Sequence, residues 1–150
     1  MKWGKMSHIG LVRKNNEDNC CVCDDINLFA VADGMGGHKA GEIASRLALD
    51  ELTSYLRINS PMLDGDPAEA LRQAVYNANA AVLEFARTDG EKFRGMGTTI
   101  TAAVYRENKI YVAHVGDSRA YLVRGEKIRL LTSDHSLVNE LVKSGGITPE

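Results

Sequence analysis

Apolar and small residues return every three or four positions in two long stretches of the chain. The first stretch, residues 40–56, has the i, i+3, i+4, i+7 spacing of a helix with one buried face, and this helix is expected to end before Pro61. The second stretch begins with the sequence DPAE at residues 66–69, which supplies an N-cap aspartate, a first-turn proline and a capping-box glutamate. Its apolar series continues to about Ala86. The pattern therefore predicts two long helices in the middle of the chain.

Shorter β-branched and apolar runs flank these helices. Residues 1–10 are predicted to form a first strand, and residues 19–23 and 28–32 a hairpin joined by the turn sequence DDIN. After a polar, glycine-containing loop, four further runs predict an antiparallel meander at residues 98–105, 109–115, 118–123 and 127–131. A short final helix is predicted over residues 137–143.

The order of these elements is strands, two long helices and strands again, without the alternation of strand and helix that builds a parallel sheet. It predicts an α+β fold in layers with a mostly antiparallel sheet. The chain has 150 residues, 44% of them hydrophobic, which is enough for one ordinary core, so residues 1–150 are interpreted as one domain. The closing sequence GGITPE carries no stop signal and suggests a chain that has been cut short.

Charge and hydropathy exclude several classes of partner. The formal net charge is -2 and the sequence pI about 6.1, so no bulk attraction to nucleic acid or to an anionic membrane is expected. No apolar run approaches the roughly 18 residues of a membrane span, and the N-terminus lacks the basic region and apolar core of a signal peptide. A cytoplasmic protein is therefore expected.

Three cysteines are crowded into four positions at Cys20, Cys21 and Cys23. An odd number of cysteines in one predicted strand fits neither a disulfide framework nor a zinc site that needs a second ligand pair elsewhere. Reduced, packed thiols are the favoured interpretation over a reactive or metal-binding cluster.

Acidic residues stand where predicted strands end or turns begin. They are Glu17, Asp18, Asp33 and Asp117. Burial of a lone carboxylate is unfavourable by several kcal/mol, so such a group is normally paired, hydrogen-bonded or bound to metal. Oxygen ligands with few histidines nearby point to Mg²⁺ or Mn²⁺ rather than to zinc.

The glycines in the sequence LFAVADGMGGHKAGE, residues 28–42, allow two interpretations. A glycine beside a carboxylate exposes its carbonyl group and lets a hydrated metal or a phosphate approach the backbone, so Asp33 and the Gly34 carbonyl could be a ligand pair. Asp and Gly are equally typical of a tight turn with a helix N-cap. The run GGHK does not match the phosphate-binding loops of nucleotide-binding proteins. Arg13 also allows two interpretations, a structural ion pair or a contact to a metal-bound phosphate.

Five motifs occur together in one order along the chain. They are R-x-x-N-E-D at residues 13–18, A-D-G-M-G-G-H at 32–38, G-M-G-T-T at 95–99, V-G-D-S-R at 115–119 and D-H-S-L-V at 134–138. In this combination the chain resembles the bacterial form of the PPM, or PP2C, family of metal-dependent protein serine/threonine phosphatases. The resemblance implies two antiparallel sheets packed face to face and flanked by helices, an αββα sandwich. It also implies hydrolysis of phosphoserine and phosphothreonine in proteins, the targets of bacterial serine/threonine kinases, by water bound to two Mn²⁺ or Mg²⁺ ions.

The same resemblance implies a set of metal ligands. Asp33 resembles the aspartate that bridges the two ions. The Gly34 carbonyl and Glu17 resemble ligands of the second ion, Glu17 largely through water, and Asp18 resembles a supporting acid. Asp117 resembles the ligand of a third, weaker ion.

Substrate binding and proton donation involve other residues. Arg13 resembles the residue that holds the substrate phosphate. Many eukaryotic relatives place a histidine, as candidate general acid, directly after the Asp-Gly pair, whereas this chain has Met35, which cannot donate a proton. His38 is the remaining nearby candidate for the general acid, while His114 and His135 are expected to be structural.

The resemblance implies later S-D-G and D-N motifs, which supply two more aspartates to the first metal, and neither motif follows the five motifs above in the sequence. The resemblance places residue 150 near the start of the family's flap segment. Residues 1–150 are thus expected to be the N-terminal part of a phosphatase domain, inactive alone unless a missing segment or a second chain, by swapping, completes it. The oligomeric state is not predicted. The alternative function is a non-catalytic module, a pseudo-phosphatase or truncated regulator that binds a phosphoprotein or another partner.

Overall fold

The computed structural model describes residues 1–37, 39–88 and 92–135. In this part of the chain, strands precede and follow a block of helices. The elements in chain order are β1 (Asp18–Cys23), β2 (Leu28–Met35), α1 (Ala40–Ile58), α2 (Ser60–Gly65), α3 (Pro67–Thr88), β3 (Gly97–Thr98), β4 (Ile100–Arg106), β5 (Lys109–Val115), β6 (Tyr121–Arg124) and β7 (Lys127–Leu130).

The strands form two antiparallel sheets. The larger sheet has the order β1-β2-β4-β5, with β3 paired to the end of β2, and the smaller sheet is the hairpin of β6 and β7. In the larger sheet Asp18 lies opposite Asp33, and Val31 lies opposite Thr101. The predicted α+β class with antiparallel sheets and helices is therefore confirmed.

The core lies between one face of the larger sheet and the helices α1 and α3. Strand β2 alternates in burial, and its buried register carries Leu28, Ala30 and Ala32 toward α1. From α1, Leu52 and Leu56 fill this layer and are fully buried. Alanines on both helices let them lie close to each other and to the sheet, and burial of this apolar area is the main stabilising contribution to the fold.

The predicted helices are present with small changes at their ends. Helix α1 begins at Ala40 and ends before Pro61, as expected, and α3 begins directly after Asp66. The amide of Glu69 donates to Oδ1 of Asp66 over 3.0 Å, which confirms the aspartate N-cap. The short helix α2 between them was not predicted, since six residues carry too little periodicity to recognise.

Several predicted strands differ from the structure. Residues 1–9 form no helix or strand, and a β-prone sequence without a paired neighbour gains no ladder hydrogen bonds. The predicted strand 98–105 is divided at Thr99, because the Thr99 hydroxyl, rather than its carbonyl, accepts the hydrogen bond from the Asp33 amide at 2.9 Å. The predicted meander is wrong at its middle connection, since β6 pairs with β7 and not with β5. The predicted strand 118–123 begins only at Tyr121. The predicted helix 137–143 lies outside the described residues.

The three cysteines lie on both sides of β1. Cys21 and Cys23 point toward α1, where Thr53 Oγ1 is 3.7 Å from Cys21 Sγ. Burial raises the pKa of the Cys21 thiol, which keeps this group protonated and unreactive. All three cysteines are free thiols, as the packed-thiol interpretation requires. Among the described residues, no helix is both long enough and apolar enough to cross a membrane.

Candidate metal and phosphate site

The predicted acidic residues meet at one end of the larger sheet. Asp18 starts β1 and Asp33 stands near the end of β2, and the antiparallel register places the two residues directly opposite each other. Opposite residues on one face of an antiparallel pair bring their Cβ atoms to about 4.5–5.5 Å, where two like charges repel. The sheet therefore holds two carboxylates together at a position that favours a bound cation.

Close backbone packing explains the glycines that follow Asp33. The Gly34 amide donates to the Glu17 carbonyl over 3.2 Å. A Cβ atom on Gly34 would lie 1.9 Å from the Gly41 carbonyl oxygen, and a Cβ atom on Gly41 would lie 2.8 Å from the Glu17 carboxylate. Only glycine at both positions lets the first turn of α1 pack against the end of β2 and against Glu17. The simple tight-turn interpretation does not account for this contact.

Ser45, which the sequence pattern did not single out, holds the segment that carries Glu17. Its side chain is fully buried on α1, and its hydroxyl donates to the Glu17 carbonyl over 2.6 Å. Asn19 in turn donates to the Ser45 hydroxyl over 2.9 Å. The sequence did contain a signal for this role, namely a serine on the predicted buried face of an otherwise apolar helix. A buried hydroxyl group needs a hydrogen-bond partner.

Two threonines of the G-M-G-T-T motif fix the backbone of Asp33. The Thr98 hydroxyl donates to the Asp33 carbonyl over 3.0 Å, and the Thr99 amide donates to the same oxygen over 2.9 Å. The Thr99 and Ser118 hydroxyls are 2.6 Å apart, which links this clamp to the loop that carries Asp117. The G-M-G-T-T motif therefore positions Asp33, although the motif itself contains no acidic residue.

The charges of the other three predicted acids act on Asp33. Partial burial is the largest cause that raises the pKa of Asp33, and the charges of Asp18, Asp117 and Glu17 raise it further. These four residues come from three separate parts of the sequence. Their mutual repulsion disfavours the ionised site, and a divalent cation would reverse that effect.

The acid side chains do not form a complete metal centre by themselves. Within residues 1–37, 39–88 and 92–135, no group of three or more His, Cys, Asp or Glu side chains has the arrangement to hold a metal ion. The cluster around Asp33 would therefore need main-chain oxygen and water as additional ligands. The Gly34 carbonyl group at the end of β2 and the hard oxygen atoms of the acids fit Mn²⁺ or Mg²⁺ in this respect.

Arg13 lines the same cleft as the acids. The cleft has a volume of about 410 Å³, and its walls include Arg13, Glu17, Asp18 and Asp33. The side chain of Arg13 is exposed, and no described residue forms an ion pair with it. The structural ion pair left open by the sequence is therefore not found in the described part of the chain.

The histidines lie in different situations. His114 Nδ1 is 3.0 Å from the Thr101 hydroxyl, which also bonds the Ser118 carbonyl, and this contact suits the expected structural role. The His135 amide donates to the Gly116 carbonyl over 2.8 Å. The guanidinium of Arg119 holds Asp134 and lowers the pKa of that carboxyl. His38, the candidate general acid, lies outside the described residues.

The fold and the acidic residues at the strand ends define a class of protein. Comparison with known sequences identifies that class. The sequence model of the family described as protein phosphatase 2C matches residues 2–141. The chain therefore belongs to the protein phosphatase 2C family, and the resemblance drawn from its five motifs is confirmed.

The particular relatives are bacterial enzymes. The chain is 39% identical over 145 residues to the serine/threonine phosphatase Stp of Listeria monocytogenes, covering 94% of this chain and 57% of that protein. It is 41% identical over 150 residues to the serine/threonine protein phosphatase PstP of Mycobacterium tuberculosis, covering 100% of this chain and 28% of that protein. The chain thus spans between about a quarter and three fifths of the length of these two relatives.

Solved structures agree with this grouping. The crystal structure of PstP from Mycobacterium tuberculosis superposes with a TM-score of 0.84 at 40% identity, covering 96% of this chain and 59% of that one. A structure of the PstP catalytic domain, described as a complex with two manganese ions, superposes with a TM-score of 0.82 at 40% identity, covering 96% of this chain and 60% of that one.

Proposed function

We propose that this protein takes part in the metal-dependent hydrolysis of phosphoserine and phosphothreonine in proteins. The observation that carries the proposal is that Glu17, Asp18 and Asp33 line one cleft in a member of the protein phosphatase 2C family, with Asp117 close enough to raise the pKa of Asp33. The proposed substrates are phosphorylated targets of bacterial serine/threonine kinases, and the proposed location is the cytoplasm. Residues 1–150 are proposed to be the N-terminal part of the phosphatase domain.

The chain's own residues would divide the work of holding two or three Mn²⁺ or Mg²⁺ ions. Asp33 is the proposed bridging ligand, as the family resemblance implies, and hydrogen bonds with Thr98 and Thr99 fix its backbone. The Gly34 carbonyl and Glu17 are proposed ligands of the second ion. When bound, such ions supply a hydroxide at neutral pH and stabilise charge on the phosphoryl oxygens.

The remaining acids complete the proposed ligand set. Asp18, directly opposite Asp33 in the sheet, would support the bridging carboxylate. Asp117 would bind a third ion from the loop after β5, which the hydroxyl contact between Thr99 and Ser118 holds near Asp33. Repulsion among these acids is the reason that the site favours cations.

Arg13 is the proposed ligand of the substrate phosphate. Its guanidinium is not neutralised by a described carboxylate, and it faces the cleft that the acids line. A planar guanidinium can donate two parallel hydrogen bonds to a phosphate. His38 is kept as the proposed general acid, since the thioether of Met35 cannot transfer a proton.

Because residues 1–150 alone are expected to be inactive, the decisive experiment uses a longer parent protein in which these residues are joined to the family's later segment with the S-D-G and D-N motifs. It measures Mn²⁺-dependent release of phosphate from a phosphothreonine peptide by this parent and by its Asp33→Asn variant. We expect the parent to require metal and the variant to lose at least a hundredfold in rate, because an amide cannot bridge two cations as a carboxylate does. Asp50→Asn, on the exposed side of α1, is the matched control and should keep the parental rate. Equal rates for the parent and Asp33→Asn would overturn the catalytic role of Asp33.

A second variant separates substrate binding from chemistry. Arg13→Ala should raise KM more than it lowers kcat, because the lost contact is to the bound phosphate. An effect on kcat alone would contradict this role. Metal-dependent binding of phosphopeptide without any turnover in the longer parent protein, which carries the later S-D-G and D-N motifs, would favour the alternative function, a non-catalytic phosphoprotein-binding module.

A further inference from the structure

An apolar groove lies beside the acidic cleft. It has a volume of about 320 Å³ and runs between α3 and the ends of the strands β3 and β5. Its walls include Met35, Tyr76, Leu83 and Val115, all of them exposed large hydrophobic residues. Leu83 is 49% exposed and Met35 is 64% exposed. Large apolar side chains gathered at the surface typically mark a binding site.

The groove carries almost no polar chemistry of its own. Tyr76, Asn79 and Thr98 are the side chains with polar atoms among its described lining residues, and none of the lining residues is charged at neutral pH. The Thr98 hydroxyl is already bonded to the Asp33 carbonyl. The groove therefore suits an apolar group and offers little to a charged or strongly polar one.

Met35 joins the groove to the acidic cleft, because its side chain lines both. It lies across Gly97, where a Cβ atom would come within 2.8 Å of the Met35 methyl group. Asp33 is two residues earlier in the same strand, and two residues of a strand span about 7 Å. An extended peptide covers this distance in about two residues.

We propose that the groove binds an apolar side chain of the phosphoprotein substrate, located one to three residues from the phosphorylated residue. The proposal rests on the proposed function, which places the phosphate in the acidic cleft. Continuity of the two surfaces through Met35 favours this occupant. The competing occupant is the remainder of the phosphatase domain, because this chain covers 59% of the solved PstP chain.

The test uses fluorescent peptides with a non-hydrolysable phosphonate in place of phosphothreonine, so that binding is measured without turnover. A single Leu is moved from position -3 to position +3 in a serine and glycine background, and affinity is measured by fluorescence anisotropy with Mn²⁺. We expect Leu at one or two positions to tighten binding about tenfold over Ser. Leu83→Gln should remove most of that gain, and Ile58→Gln, an exposed apolar position at the end of α1, should keep it.

Asn79→Lys is the second variant and places a charge in the groove from an exposed position. It should reduce the Leu preference and leave metal-dependent binding of the Ser peptide unchanged. Thermal melting of each variant confirms that it is folded.

Three results would overturn the groove proposal while leaving the proposed function intact. They are equal affinity for all peptides in the presence of Mn²⁺, a Leu preference that survives both groove variants, and a Leu preference that disappears in the longer parent protein, where the remainder of the domain would then cover the groove. Failure of every phosphonate peptide to bind in a metal-dependent manner would overturn the groove proposal together with the proposed function.

Discussion

Strand β2 contributes to two regions of the molecule, the apolar core and the acidic cleft, which are stabilised in different ways. Its buried register, from Leu28 to Ala32, packs against α1 and ends at Gly34. The other register runs along the opposite face and ends with Asp33 and Met35 at the cleft. The first region is stabilised by apolar burial and requires no ligand. The second gathers repelling carboxylates and is stabilised only when a cation binds.

The free energy of folding and the free energy of metal binding therefore depend on different residues. Core residues contribute through area and packing, which do not depend on pH or metal. Cleft residues raise the free energy of the metal-free protein through repulsion, and the same charges are what a divalent cation binds. Variants in the two regions should therefore separate stability from metal affinity.

The largest expected effect comes from the core. Leu52→Ala removes a fully buried side chain and should lower the free energy of unfolding by about 2–5 kcal/mol. Urea unfolding measures the change, and calorimetric titration of the folded variant should give the parental Mn²⁺ affinity. Ile58→Ala, on the exposed end of α1, is the control and should change stability by about 0.5 kcal/mol or less. A parallel loss of metal affinity in Leu52→Ala would mean that core and cleft are not separable.

The next effect comes from the cleft. Mn²⁺ at about a hundred times its Kd should stabilise the parent by about 2.7 kcal/mol, and Asp33→Asn should lose most of this gain. Thermal unfolding with Mn²⁺ and with chelator measures both values. Asp50→Asn should show the full gain. Parental stabilisation by Mn²⁺ in Asp33→Asn would contradict the proposed ligand.

The same variant has a second signature in the absence of metal. Because the pKa of Asp33 is raised in the folded protein, its contribution to stability is full below the unfolded value of about 3.9 and is lost as the pH rises through the raised pKa. In Asp33→Asn the amide cannot ionise, so the variant does not lose this contribution to stability as the pH rises. With chelator at pH 7, the variant should therefore be as stable as the parent or more stable, and a clear destabilisation would show that Asp33 has a structural role.

A smaller effect is expected where the two regions touch. In Gly41→Ala the new Cβ atom would lie 2.8 Å from the Glu17 carboxylate and 2.9 Å from the Gly34 carbonyl carbon. The crowding should destabilise the protein by about 1–3 kcal/mol and also weaken Mn²⁺ binding, which calorimetric titration measures. Gly65→Ala is the matched control, because a Cβ atom on Gly65 would meet nothing within 4 Å. Unchanged metal affinity in Gly41→Ala would separate this contact from the site.

The smallest effect is expected at Glu69 on α3, which belongs neither to the core nor to the cleft. Hydrogen bonds from Arg72 and Gln73 lower the pKa of Glu69 to about 2. Its contribution to stability is thus present above the unfolded value of about 4.3 and is lost as the pH falls through about 2. Glu69→Gln should lower Tm slightly at neutral pH, because exposed ion pairs stabilise little, and the difference from the parent should vanish near pH 2. Glu84→Gln on the same helix is the control, and a difference that grows at low pH would contradict the assignment.

Local signals predicted the helices well and some strand connections badly. The N-cap at Asp66 and the periodicity of residues 40–56 depend on neighbours within four residues, and both are present in the structure. The predicted strand at residues 1–10 and the continuous meander failed, because strand pairing depends on partners far along the chain. The roles of Thr98 and Ser45 were missed for the same reason, since each acts through a hydrogen bond to a distant carbonyl group.

The sequence by itself determined the family, the α+β class and the identities of the acids, because motif order, periodicity and residue chemistry are properties of the linear chain. Only the tertiary structure decided that Glu17, Asp18 and Asp33 share one cleft, that Gly41 must be small and that Met35 joins this cleft to an apolar groove. These facts follow from strand register and from the packing of α1 on β2. Register and packing are set by contacts between residues that are far apart in the sequence, so local patterns cannot reveal them.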